Sequence, residues 1–159
     1  MAKAIFTATD PNGAIHKRTS AKREYTHTVV YQEDKAAYVA AATSPASRKQ
    51  HEKNAQYYLD CIANGEHLNL MTFAHYVDDE AAHARDVEEA VKRLDGATTA
   101  AEFAEARIAE DLERYETIDW SKWINAGWCG RLDLAQKLAA STGSMSRVSA
   151  FKVLEATKA

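Results

Sequence analysis

Two histidines near the start of the chain, His16 and His27, are the side chains best suited to acid–base or phosphate chemistry. Imidazole titrates near neutral pH and can donate or accept a proton. Both residues lie in segments with strand character, and we expect the strands to be neighbours in one sheet, with the two rings facing each other. Such a patch would suit a small phosphate-handling hydrolase or a nucleotide-binding protein. Histidines are also common on sheet surfaces, so we assign no catalytic residue.

A second pair, His75 and His83, is spaced with Asp79 at intervals of four, and residues 80–83 read Glu-x-x-His. On one continuous helix Asp79 and His83 can share a metal ion, as in di-iron bundles. Those bundles need a second Glu-x-x-His and further glutamates, which the sequence lacks. His83 also lies in an apolar stripe, which favours a hydrogen-bonded core histidine. We therefore predict no metal site and no cofactor.

Four cations, Lys17, Arg18, Lys22 and Arg23, surround one predicted β-turn, with Tyr25 close by. Such a cluster can contact the phosphates of a nucleic acid. The net charge of −3 argues against broad nonspecific binding of nucleic acid. Lysine and arginine on an edge hairpin also serve simply to prevent aggregation.

The three tryptophans fall within nine residues, at Trp120, Trp123 and Trp128, shortly before Arg131. Exposed tryptophan and arginine dominate protein interfaces, so the segment is a candidate anchor for a protein partner. Gly130 and Arg131 at a helix start can also hold an anion through free backbone amides. The alternative is that the tryptophans pin the last helix against the sheet, which we favour for at least two of them. The candidate binding residues are thus Lys17, Arg18, Lys22, Arg23, His27, Trp120, Trp123, Trp128 and Arg131.

The charge is unevenly distributed along the 159 residues. Residues 1–50 contain eight Lys/Arg and four Asp/Glu, a net charge of +4, and the remainder carries −7. A chain of this kind can attract an anionic partner at one end and a cationic partner at the other. Long acidic helices that are simply solvated are the alternative explanation.

Length and composition predict a single domain over residues 1–159 in the cytoplasm. No apolar run approaches the roughly 20 residues that span a bilayer, and the N-terminal segment turns polar at Thr7, too early for a signal peptide. Cys61 and Cys129 are far apart, which favours free thiols in a reducing compartment. We expect no membrane partner, and leave a homo-oligomer open.

The N-terminal segment predicts a β-meander over residues 5–32. Asp10-Pro11-Asn12-Gly13 has the composition of a tight turn, and residues 23–32 are rich in β-branched and aromatic side chains. A last strand at residues 148–155 is expected to join the same sheet.

Helical segments are predicted at residues 34–42, from 45 to about 63, from an N-cap at residue 78 or 79 to residue 94, from 100 to about 115, and from about 132 to 143. Ser44 before Pro45 indicates an N-cap, Thr99 with Glu102 a capping box, and Gly65 the end of a helix. Residues 66–75 fit either a strand or a helix. The fold class is therefore α+β: a small antiparallel sheet packed with a layer of four to five helices.

Two short patterns, Arg23-x-Tyr25-Thr26-His27-x-Val29-Val30 and Gly127-Trp128-x-Gly130-Arg131-x-Asp133-Leu134-Ala135-x-Lys137, resemble small uncharacterised proteins of bacteriophages and mobile elements. The resemblance covers the two ends of the chain and carries over no catalytic residue. It implies a viral accessory protein, acting in the host cytoplasm against a host defence.

The sequence as a whole favours a non-enzymatic accessory protein that binds another macromolecule, most readily a host or viral protein. Nucleic-acid binding through the basic hairpin is the alternative, and a small hydrolase or nucleotide-binding protein ranks third. No Gly-rich phosphate loop, nucleophile elbow or zinc-ligand spacing is present in the sequence.

Overall fold

The computed structural model describes residues 3–64 and 80–159, and this part of the chain has an α+β fold, as predicted. The elements in chain order are β1 Ala4–Thr9, β2 Ile15–Ser20, β3 His27–Glu33, α1 Lys35–Ala42, α2 Pro45–Asn64, α3 Glu80–Leu94, α4 Ala100–Thr117, β4 Ile124–Cys129, α5 Leu132–Gly143, β5 Val148–Glu155 and β6 Thr157–Lys158. Among these helices, none combines the length and the apolar character needed to cross a bilayer.

The chain divides into two compact units. The β-rich unit combines Met1–Tyr38 with Ile118–Ala159, and the helical unit is Val39–Thr117. The β-rich unit has twelve Lys/Arg against seven Asp/Glu, a net charge of +5, and the helical unit has eight against sixteen, a net charge of −8. The prediction of one domain over residues 1–159 stays a prediction.

The strands of the β-rich unit form two antiparallel sheets instead of the single sheet expected from the sequence. One has the order β2-β1-β6 and the other the order β4-β3-β5. The predicted N-terminal meander is therefore wrong in one respect. The strand β3, which begins at His27, does not pair with β2 and belongs to the second sheet. The terminal strand β5 pairs with β3 along its length, which confirms that the C-terminal segment joins a sheet.

The second sheet is buried on both faces at its centre. Val29 on one face of β3 packs with Ala135 and Ala139 of α5. Thr28 and Val30 point to the opposite face and are also fully buried. The central position of β3 between β4 and β5 explains why two consecutive valines are both inaccessible.

The helical unit is held by α2, which packs against both α3 and α4. Ala55, Leu94 and Phe103 form one buried cluster there, and Cys61 with Ala90 forms another. The predicted capping box is confirmed, because Thr99 Oγ1 accepts from the Glu102 amide while Glu102 Oε2 accepts from the Thr99 amide, both at 3.2 Å.

The other helix predictions agree closely with the structure. The N-cap at Ser44 is confirmed by the Ser47 amide, which donates to Ser44 Oγ (3.1 Å). Four predictions lie outside the described residues: the helix end at Gly65, the strand or helix at residues 66–75, the helix cap at residue 78 or 79, and the metal-ligand spacing of His75, Asp79 and His83.

Candidate functional site

His16 is hydrogen-bonded to Asp10 at the β1–β2 turn. Asp10 is buried, and its Oδ1 accepts from the amides of Asn12 (2.9 Å) and Ala14 (3.0 Å), while its Oδ2 lies 3.0 Å from His16 Nε2. Burial raises the pKa of the Asp10 carboxyl, but the Ala14 amide, His16 and the Asn12 amide together lower that pKa below its ordinary value. The pair therefore fixes the hairpin turn.

His27 is not a neighbour of His16, and the expectation that the two rings face each other is wrong. The reason is the separation of β2 and β3 into different sheets. His27 instead lies between Cys129 of β4 and Glu155 of β5, and its Nδ1 shares a hydrogen bond with Thr26 Oγ1 (2.8 Å). Within the described residues, no side-chain hydrogen bond joins His27 to Cys129 or Glu155.

The row Cys129–His27–Glu155 contains the residue types of a cysteine-based catalytic site, but its thiol is poorly suited to that role. Burial raises the pKa of the Cys129 thiol, which disfavours the nucleophilic thiolate. Both Cys129 and Cys61 are free thiols, as predicted from the sequence.

The three tryptophans occupy separate environments and do not form one surface. Trp120 packs against the ring of Tyr38, with centroids 5.2 Å apart. Trp123 has Lys152 Nζ 5.7 Å from its ring centroid, and its buried Nε1 has no hydrogen-bond partner among the described residues. Trp128 contacts the ring of Tyr25, which follows the basic segment in the chain. All three are partly buried, and the pinning of the last helix against the sheet stays a prediction.

Tyr25 connects the two sheets through a row of aromatic rings. Its ring meets Phe6 of β1 edge-on (5.4 Å, 89°) and Trp128 of β4 at 6.2 Å and 64°. The Arg18 guanidinium carbon lies 6.0 Å from the centroid of the Tyr25 ring. Phe6 is 2% exposed, whereas Tyr25 and Trp128 are only half-buried, so the row leads from the core to the surface.

The segment after β2 and the segment after β4 approach each other closely. The Thr26 amide donates to the carbonyl of Cys129 (3.0 Å), and a Cβ added at Gly130 would lie 2.9 Å from the carbonyl oxygen of Glu24. Glycine at position 130 is therefore what permits this backbone contact. It brings the loop that carries Lys22 and Arg23 beside the loop that carries Arg131.

The four cations of the predicted basic hairpin are exposed, and two of them, Lys22 and Arg23, lie in the loop after β2. Within the described residues, no Asp or Glu oxygen lies within 4.0 Å of the charged nitrogens of Lys17, Arg18, Lys22 or Arg23, all of which are exposed. The arginines Arg48, Arg93, Arg107, Arg114 and Arg131 behave differently, because each forms an ion pair with an Asp or Glu. The positive charge of these four residues is thus not neutralised by a carboxylate in the described part of the chain.

The structure sorts the predicted binding residues into those that meet and those that do not. Lys17 lies on the opposite face of β2 from Arg18, because successive side chains of a strand alternate between its faces. Arg131 forms a bidentate ion pair with Asp133 (2.9 and 2.8 Å). Arg18 lies 6.0 Å from the Tyr25 ring centroid, and the Tyr25 ring contacts Trp128. Lys22 and Arg23 are exposed in the loop that leads to Tyr25. We call Arg18, Lys22, Arg23, Tyr25 and Trp128 the basic corner.

Sequence reasoning missed two features of this region. The Asp10–His16 hydrogen bond was hidden because Asp10 fits equally well as an ordinary turn residue. Lys158 lies opposite Phe6 on β6, as Arg18 does on β2, and nothing local predicts that the last residues pair with the first strand. Comparison of the chain with protein-family models, with curated proteins and with solved structures gives no match.

Proposed function

We propose that this protein acts by binding another macromolecule, without catalysis, and that the basic corner is the surface it uses. The observation that carries the proposal is the set of exposed, unpaired cations on the basic hairpin, beside two half-buried aromatic rings. Five arginines elsewhere are held in ion pairs, whereas Arg18, Lys22 and Arg23 lie close together in the sequence, exposed and without a carboxylate partner among the described residues. The chemistry that complements the basic corner is an anionic surface.

The +5 charge of the β-rich unit supports the same proposal. A net charge of −3 for the whole chain conceals this, because the helical unit carries −8. An anionic partner would therefore be attracted to one unit and repelled by the other, which favours binding in a defined orientation over nonspecific binding. The phage context, and with it inhibition of a host defence, stays a prediction from the resemblance.

Retention on immobilised heparin, a sulphated polyanion, tests the proposal. Arg18→Gln with Arg23→Gln removes two charges from the basic corner, and Arg48→Gln with Arg114→Gln removes two from exposed, ion-paired sites in the helical unit. Both double variants change the net charge from −3 to −5. We expect the first to elute at markedly lower salt and the second to elute as the unaltered protein does. Equal elution of the two variants would contradict the proposal.

A further inference from the structure

The basic corner contains aromatic surface as well as charge. Phosphates can pair with the cations but make no use of the aromatic rings. A partner that offers only negative charge therefore has no group that packs against Tyr25 and Trp128. A partner that brings planar rings together with phosphates uses both features. Unpaired nucleic-acid bases provide such rings, because each base has a face that can stack on an aromatic side chain.

We propose that the partner of the basic corner is a single-stranded nucleic acid, which rests on the function proposed above. Its phosphates contact Arg18, Lys22 and Arg23, and its bases pack against Tyr25 and Trp128. The Arg18 guanidinium, 6.0 Å from the Tyr25 centroid, adds a planar cation beside the ring, a combination typical of surfaces that bind single strands.

The secondary structure around the basic corner favours a single strand over a duplex. Reading a duplex usually takes a helix or a β-ribbon placed in a groove, with cations directed at the phosphates on either side. The strands β1 and β2 do not form a free two-stranded ribbon, because β1 also pairs with β6. The helix nearest in sequence to the basic corner is α5, and its residues Leu132–Gly143 include one lysine and one aspartate. The Asp133 carboxylate also occupies the guanidinium of Arg131. This helix therefore offers little attraction for a duplex.

The first test measures binding of a labelled oligothymidylate of about ten nucleotides, within the range that small single-strand-binding folds cover. Three phosphate contacts predict that log K falls with log salt with a slope of about −2. Arg18→Gln with Arg23→Gln should reduce that slope by about 1.4, and Arg48→Gln with Arg114→Gln should leave it unchanged. Two other polyanions are compared with oligothymidylate. A hairpin duplex has bases that are already paired and stacked, and polyglutamate has no bases.

The second test observes the tryptophan rings directly by NMR. The three indole N–H signals come from Trp120, Trp123 and Trp128, and Trp128→Phe identifies the last of them. Saturating oligothymidylate should move the Trp128 signal most, whereas polyglutamate should move it little. Replacing Trp128 with leucine should weaken oligothymidylate binding about five- to 150-fold, the span of base–aromatic stacking. Trp128→Phe retains a ring and should lose less.

The outcomes separate the two proposals. If the duplex or polyglutamate binds as tightly as oligothymidylate and the Trp128 signal stays in place, the single-strand inference is overturned while binding of an anionic partner stands. If oligothymidylate binding is unaffected by Arg18→Gln with Arg23→Gln, the inference is also overturned. If the unaltered protein binds none of these polyanions, heparin included, both proposals fail.

Discussion

Replacing Gly130 with alanine should destabilise the β-rich unit, because the added methyl group would collide with the backbone. The new Cβ would lie 2.9 Å from the carbonyl oxygen of Glu24. That oxygen is a backbone atom, so it can move away only if the loop that carries Lys22 and Arg23 moves with it. Gly127 offers a matched comparison, because a Cβ there would also meet an atom at 2.9 Å, but that atom is Cδ2 of Leu138.

The difference between a backbone atom and a side-chain methyl sets the expected magnitudes. Gly130→Ala should lower the free energy of unfolding by about 1–3 kcal/mol, the usual cost of overpacking. Leu138 can rotate its methyl away, and alanine is favoured over glycine inside a strand by about 0.5–1 kcal/mol. These two effects nearly cancel, so Gly127→Ala should change the stability of the β-rich unit by less than about 1 kcal/mol.

Urea unfolding followed by tryptophan fluorescence measures this stability in the appropriate unit, because all three tryptophans lie in the β-rich unit. With an m-value of about 2 kcal/mol/M, a loss of about 2 kcal/mol lowers the midpoint by about 1 M. Circular dichroism reports mainly on the helices and gives an independent check that the fold persists. If Gly130→Ala and Gly127→Ala have the same midpoint, the Glu24 carbonyl is free to move and the reasoning is refuted.

Three further predictions concern other parts of the chain. The Asp10 carboxyl has a lowered pKa in the folded protein, so its contribution to stability is complete above pH about 4 and is lost as the pH falls through the folded-state pKa. The urea midpoint of Asp10→Asn should therefore depend less on pH in this acid range than the midpoint of the unaltered protein does. Two parallel curves of midpoint against pH would contradict the assignment. Thr99→Ala removes the cap of α4 and should cost about 1 kcal/mol, measured by urea unfolding followed by circular dichroism; an unchanged midpoint would show that the cap is dispensable. Phe103→Ala should cost about 3–5 kcal/mol in the same assay because the ring is 6% exposed and packs with Ala55 and Leu94; a loss below about 1 kcal/mol would show that the site collapses around the gap.

The helix ends were readable from the sequence because they depend on local chemistry. Ser44 before Pro45 and Thr99 with Glu102 satisfy amides within one turn, and both caps form in the structure. The buried faces were predicted less accurately. A stripe with helical spacing through Ala101, Ala104 and Ile108 predicts that Ala101 is buried, but Ala101 is exposed, and Phe103, which lies outside that stripe, is buried. Periodicity alone does not show which of several apolar residues faces a neighbouring helix.

The division of the strands between two sheets was not readable, because strand pairing is decided by contacts between distant residues. The run over residues 23–32 has β-branched and aromatic composition, which fits a third meander strand as well as it fits a strand of another sheet. In the structure the chain passes from the first sheet to the second between β2 and β3, where the ring of Tyr25 contacts Phe6 and Trp128. The sequence does not indicate β4 either, because Asn125, Ala126 and Gly127 at its centre have low strand propensity.

The candidate site was predicted in part. The basic hairpin was visible as a cluster of charges, because Lys17, Arg18, Lys22 and Arg23 are adjacent in sequence. That these cations lack carboxylate partners within the described residues, and that Trp128 contacts the ring of Tyr25, depends on the tertiary fold. The prediction that His16 and His27 face each other is wrong because it assumed a single sheet, whereas the two residues lie in different sheets.

The contact between Glu24 and Gly130 also determines when the basic corner can form. The two residues are 106 positions apart, and the whole helical unit lies between them in the chain. Helices with contacts close in sequence form quickly, whereas strands that must find distant neighbours form slowly. During synthesis the residues of the helical unit are complete before β4 and β5 exist. A growing chain therefore displays the cations of the hairpin long before it has the strands that arrange them into a surface.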